Sequence, residues 1–127
     1  MDYVLDPHPP EADLARLFAR AWGTTPDRPF GPVLARSLAH VGAYAGERLV
    51  GFVNVAWDGG IHAFVLDTCV DPDFRRRGIA TALVQRAAAA ARDRGALWLH
   101  VDCEPHLADF YRACGFRDTA AGVMRLA

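Results

Sequence analysis

The order of elements legible in this chain predicts a mixed α/β fold, a central sheet with helices on its faces, and three observations carry that prediction. Apolar residues change period along the chain, giving a strand, two helices, three strands, a helix, a strand, a helix and two strands. Tight connections at Gly46-Glu47 and at the WDGG stretch join successive strands. Finally, 127 residues at 52% hydrophobic composition supply one domain, residues 1–127, with enough apolar material for a real core.

Each element has its own signal. Tyr3 to Leu5 is a short extended start. After Pro9 and Pro10, Leu14, Leu17, Phe18, Ala21 and Trp22 fall on one helical stripe that Gly23 closes. The loop TTPDRPFGP follows, and Val33, Leu34, Ser37, Leu38 and Val41 predict a second, shorter helix. Strands are expected at VGAYAG, RLVGFVNVAW and HAFVLDTCV. Ile79, Leu83, Val84, Ala87 and Ala91 set a helix over Ile79 to Arg94 that ends at Gly95. LWLHVDCE reads as a strand, and Pro105 starts a helix whose stripe is Leu107, Phe110, Tyr111 and Cys114. The closing FRDTAAGVMRLA has room for two short strands around Gly122. Trp22, Phe30, Trp57 and Trp98 fit core positions better than a ligand pocket.

Composition excludes several function classes. The formal charge is −1 and all 14 basic residues are arginine, so the chain lacks the basic surface that nucleic acid or a membrane would call for. The first residues lack a positive segment followed by an apolar one, and no apolar run is long enough to span a bilayer, so a cytoplasmic protein is expected. Cys69, Cys103 and Cys114 are odd in number and show no C-x-x-C spacing, which reads as reduced thiols rather than disulfides or a zinc site.

The most informative stretch is DFRRRGIA, Asp73 to Ala80, where three arginines meet a glycine between a strand end and a helix start. A helix start leaves about four backbone N–H groups unpaired and carries a partial positive charge, so it binds anions. Gly78 admits a phosphate without Cβ interference, and Ala80 keeps the first turn small. A plain turn with arginines facing water is the competing reading; a nucleic-acid patch lacks a second basic stripe and stacking aromatics.

The stretch VDPDFRRRGIATALV resembles the acetyl-CoA-binding signature of the GCN5-related N-acetyltransferase (GNAT) family, Q/R-x-x-G-x-G/A, met here by Arg75, Arg76, Arg77, Gly78, Ile79 and Ala80. FYRACGF, Phe110 to Phe116, is similar to the family's second recurring element, in which a tyrosine precedes a G-F pair. The resemblance is firm from about Arg48 to Phe116. It implies a mostly antiparallel mixed sheet, splayed between the fourth and fifth strands, with about four helices. It also implies acetyl-CoA as cosubstrate, cradled by the amides of Arg76 to Ala80 and the first turn at Thr81. Main-chain groups of Thr68, Cys69 and Val70 would pair with the pantetheine arm like an added strand, and Tyr111 would donate a proton to the departing thiolate.

Acetyl transfer needs a neutral amine, a polarised thioester carbonyl and a proton for sulfur. Asp67 interrupts the apolar run FVLDTCV at a place where family members often carry an acidic residue, and is the candidate base. His100, Asp102, Glu104 and His106 alternate in HVDCEPH, a spacing that would set them along one side of a strand and along an acceptor pocket. The same row could be read as metal ligands, but no second Cys or His pair accompanies it, so no metal is expected. Many family members carry asparagine seven residues before the tyrosine; Glu104 stands there, and facing the acceptor it would favour a cationic amine. The expected partner is a small-molecule or peptide amine, with no nucleic acid and no membrane. A homodimer paired through the sheet edge at the chain's end fits the family habit. The competing classes are a non-catalytic CoA-binding or regulatory domain and a tRNA-directed acetyltransferase, the latter disfavoured by charge.

Overall fold

The computed structural model describes residues 1–127. Its elements are β1 (Asp2–Leu5), α1 (Glu11–Trp22), α2 (Gly31–Ala35), β2 (Ser37–Ala45), β3 (Arg48–Trp57), β4 (His62–Val70), α3 (Ile79–Asp93), β5 (Trp98–Val101) and α4 (Ala108–Ala113), with single 3-10 turns at Pro72–Phe74 and Pro105–Leu107. The five strands stand in chain order, β1-β2-β3-β4-β5. The first three pairings are antiparallel and β4 pairs with β5 in parallel. Four helices lie on the two faces of this mixed sheet, as expected.

Two boundaries differ from the sequence expectation. The second helix stops at Ala35, and Ser37 to Val41, expected as its continuation, belong to β2. Leu38 and Val41 fit either period over so short a run, and cross-strand pairing of Ser37 with Ala56 and Val41 with Val53 decides for the strand. The two terminal strands do not form: residues 117–127 carry no regular structure and are exposed. Their Ala and Gly content is poor strand material. The edge expected to pair two copies at the chain's end is therefore absent; the sheet ends at β1 and β5.

The sheet separates two apolar layers. On one face, Leu83, Val84, Ala87 and Ala91 of α3 pack against Val41, Val53, Val55 and Val65. On the other, Leu14, Leu17 and Phe18 of α1 and Phe30 and Leu34 cover Leu49 and Phe52. Truncating a fully buried Leu such as Leu83 to Ala would cost about 2–5 kcal/mol. Gly51 sets the height of α3 over the sheet: a Cβ there would meet Leu83 Cδ1 at 3.0 Å and Ile79 Cγ2 at 3.2 Å. Its absence lets the first turns of α3 press against β3.

Candidate functional site

At the strand-to-helix junction the chain leaves β4 at Val70 and turns through Asp71. The Asp71 side chain is buried; its Oδ1 accepts from the Asp73 N–H (3.0 Å), capping the 3-10 turn. Its Oδ2 accepts from Arg20 Nε of α1 (2.8 Å) and from Arg48 Nη2 of β3 (2.9 Å). The hydrogen bond from Arg20 holds the Asp71 carboxyl below the usual carboxylate range. Three elements are thus tied to one carboxylate immediately before the arginines.

Past Arg75, Arg76 (φ +63°) and Gly78 (φ +75°) adopt the left-handed region. The N–H groups of Arg76, Arg77, Gly78, Ile79, Ala80 and Thr81 have no acceptor in the protein, and the first amide of this segment to be bonded is that of Ala82, to Gly78 O (3.1 Å). Successive free amides at a helix start, bent by left-handed residues, form an anion nest. A Cβ built on Gly78 meets nothing within 4 Å, so it would project into open space before the nest.

The arginine side chains divide their work. Arg75 donates to Ala21 O at the end of α1 (3.2 Å), and the Arg77 guanidinium lies over the Phe74 ring (4.9 Å) and reaches Asp73 O at 3.4 Å. Arg76 makes no side-chain hydrogen bond or ring contact of this kind, and it lines the opening together with Arg75.

The nest opens onto a cleft of about 640 Å³. Thr68, Cys69, Val70, Arg75, Arg76, Gly78, Ile79, Ala80 and Thr81 line it, joined by Trp22, His106, Leu107, Phe110 and Tyr111. Arg77 does not. One wall is the splay of the sheet: pairing of β4 with β5 stops at Val65 and Val101, leaving Leu66 to Val70 without a strand on that side. Burial pushes the Cys69 thiol up to about 12, so its side chain is no nucleophile and only its main chain is available.

Tyr111 ends the cleft. It is buried, 7% exposed, between Phe110 and Phe116. Burial raises its pKa, while the neighbouring Thr68 hydroxyl acts in the opposite direction. Thr68 Oγ1 is itself shielded from solvent beside the Tyr111 phenol.

Asp67 lies in a β-bulge. Partners on β4 jump from Cys69, opposite Phe52, to Leu66, opposite Asn54, and Asp67 takes φ +59°. The bulge turns Asp67 and Thr68 together toward a second cavity of about 460 Å³, which shares Trp22, Thr68, Leu107 and Tyr111 with the first. Burial raises the Asp67 carboxyl above its usual range.

The alternating row proposed from HVDCEPH is broken, because β5 ends at Val101 and the chain turns at Pro105. Asp102 and Glu104 line the second cavity and His106 the first. His100 lines neither; it stacks on Phe64 (4.9 Å) and its Nε2 is 3.1 Å from His62 Nδ1 on the open face. Trp22, Trp57 and Trp98, expected in the core, are 48%, 40% and 51% exposed, and only Phe30 is buried. The helical stripe reaches Trp22, but the last turn of α1 overhangs the clefts, where Trp22 stacks on Phe18 (4.7 Å). Sequence reading missed Asp71, Arg20 and Arg48; the D-P-D spacing is a local capping signal, but nothing local marks the two distant arginines.

Comparison with known proteins agrees with this geometry. The profile of the Acetyltransferase (GNAT) family matches residues 7–116. Serotonin N-acetyltransferase 2, chloroplastic, of Oryza sativa subsp. japonica is 35% identical over 69 residues, 54% of this chain and 34% of that protein. Mycothiol acetyltransferase of Mycobacterium ulcerans is 37% identical over 60 residues, 47% of this chain and 19% of that protein. The match thus spans about a third or less of these relatives. Among solved structures, a GNAT family acetyltransferase of Streptococcus pneumoniae TIGR4 superposes with a TM-score of 0.85 at 22% identity, covering 99% of this chain and 97% of that one. An aminoglycoside N-acetyltransferase in complex with CoA gives 0.74 at 20% identity, covering 99% and 93%. With the family profile spanning the nest, the splay and Tyr111, this chain belongs to the GNAT acetyltransferase family.

Proposed function

We propose that the protein transfers an acetyl group from acetyl-CoA to a primary amine of a small molecule or peptide, by direct attack with both substrates bound. The observation that carries this reading is the run of six unbonded amides, Arg76 to Thr81, opening onto a cleft that ends at Tyr111. The residues fit the cosubstrate: the nest suits a diphosphate, Gly78 leaves it room, and the unpaired side of β4 from Thr68 to Val70 suits a pantetheine arm added as a strand.

The chemistry then follows from the side chains. Asp67, its basicity raised by burial, accepts a proton from the acceptor ammonium. The freed amine attacks the thioester carbonyl, forming C–N as C–S breaks, with a main-chain N–H near Val70 polarising the carbonyl. Tyr111 gives its proton to the leaving thiolate and is reprotonated through water by the second proton that the attacking nitrogen sheds as the amide forms; the proton taken by Asp67 passes to solvent, for a net release of one. Cys69 is 6% exposed and burial keeps its thiol protonated, which makes it a poor nucleophile and supports direct transfer over an acyl-enzyme.

The test is thiol release from acetyl-CoA across a panel of amines, repeated with Tyr111→Phe. The variant should lose about 100-fold in kcat, with acetyl-CoA affinity kept within a few-fold. Full activity of Tyr111→Phe would remove the assigned acid, and cofactor binding without turnover on any amine would mark a binding domain instead.

A further inference from the structure

Resting on the reading of the nest as a cosubstrate cradle, we infer that Arg20 is a positioning residue for acetyl-CoA: from α1 it clamps the turn before the nest and so fixes the aim of the nest amides. The clamp has two arms. Arg20 Nε donates to Asp71 Oδ2 (2.8 Å) and Arg20 Nη2 to Asp73 Oδ2 (2.9 Å). One guanidinium thus spans Pro72 and holds the 3-10 turn by its capping residue and by its middle residue. Arg48 bonds Asp71 Oδ2 alone (2.9 Å).

The nest amides do not fix their own direction. The main-chain N–H bonds of the connection fall before them: Asp71 to Val50 O (2.7 Å), Phe74 to Asp71 O (2.9 Å) and Arg75 to Pro72 O (3.5 Å). From Arg76 the next bonded N–H is that of Ala82. Within this stretch Arg76 holds φ +63°, a conformation that a non-glycine residue keeps only where its surroundings impose it. The amides therefore take their aim from what holds the chain on either side, α3 after them and the turn before them. Six donors bind a diphosphate well only if they are already aimed, because freedom frozen on binding subtracts from affinity.

Helix α1 is a firm place from which to hold the turn. Leu14, Leu17 and Phe18 of its stripe are each 1% exposed, and Gly23 closes the helix with its N–H on Ala19 O (2.9 Å). Arg75 adds a third tie, to Ala21 O (3.2 Å), but Arg75 lines the cleft, where a phosphate competes for its guanidinium. Arg20, Asp71 and Asp73 stand outside the cleft, so their bonds persist when the ligand binds. The planar fork of arginine is what lets one side chain serve two carboxylates; a lysine ammonium is a point charge without that geometry.

The experiment measures CoA binding by isothermal titration, KM for acetyl-CoA and thermal melting in wild type, Asp73→Ala, Arg20→Gln and Arg48→Gln. Asp73→Ala decides by sign. It removes only the outer arm of the clamp, at an exposed residue, and takes a negative charge from the loop that leads to the nest. Charge alone would make CoA bind more tightly; positioning makes it bind about threefold more weakly. Arg20→Gln should raise Kd for CoA and KM for acetyl-CoA at least about tenfold, with kcat at saturation kept within about twofold. Arg48→Gln loses the same charge and the same kind of bond to Asp71, so it should melt about as early yet weaken CoA less than about threefold. If Arg20→Gln fails to fold, Asp73→Ala still decides. CoA binding unchanged or tightened in Asp73→Ala, or weakened equally in Arg20→Gln and Arg48→Gln, overturns the inference and leaves acetyl transfer standing. A folded wild type that binds no CoA overturns the nest reading itself, and the inference with it.

Discussion

Gly78→Asp isolates the nest from everything else in the site. A side chain at this position meets no protein atom within 4 Å, so the substitution causes no clash, and its conformational cost is that of a non-glycine residue at φ +75°. That is about 1 kcal/mol, at the low end because Asp tolerates the left-handed region. The effect on ligand is larger. A carboxylate roughly 5 Å from a phosphate charge, at an effective dielectric of about 20, is repelled by about 3 kcal/mol, a factor of roughly 150 in Kd. Arg76→Ala, by contrast, removes one solvated charge from the rim, worth less than about fivefold. Isothermal titration with CoA, paired with thermal melts of the ligand-free variants, reads both. A folded Gly78→Asp that binds CoA within about threefold of wild type would refute the nest, as would Arg76→Ala weakening binding more than Gly78→Asp does.

Two further predictions concern carboxylates. Asp67 must be ionised to accept a proton, and burial raises its pKa, so kcat/KM should fall as pH drops through a value above the ordinary carboxylate range near 3.9. Asp67→Asn should lose that acid limb along with about 100-fold or more in rate; an unchanged limb in the variant would assign the base elsewhere. Asp71 behaves oppositely. Its pKa is lowered in the folded state, chiefly by the hydrogen bond from Arg20, so its stabilisation is fully present above the unfolded-state value near 3.9 and is lost as pH falls through the lower folded value. Asp71→Ala should destabilise by at least the ~1 kcal/mol of a lost cap at pH 7. The gap to wild type in urea titrations should narrow below about pH 4; a gap independent of pH down to 2 would contradict the ion-pair account.

What the sequence determined by itself was local. The helical stripe from Ile79, the glycine at its start and the strand before it are set by neighbours within a few residues, and they located the nest without coordinates. Tyr111 was singled out only by the family resemblance of FYRACGF; its helical stripe alone reads as core. Local pattern failed where two periods compete, as at Leu38 and Val41, and where strand content was inferred without a partner edge, as in residues 117–127. The tertiary structure decided the rest because the groups concerned meet only across the fold. Asp71 is tied to Arg20 and Arg48, 51 and 23 residues away. The row from His100 to His106 is parted by the end of β5. The bulge at Asp67 arises because β3 and β4 pair out of step there. A period-2 pattern cannot show that extra residue, yet it turns a carboxylate from a strand interior into the wall of a cavity.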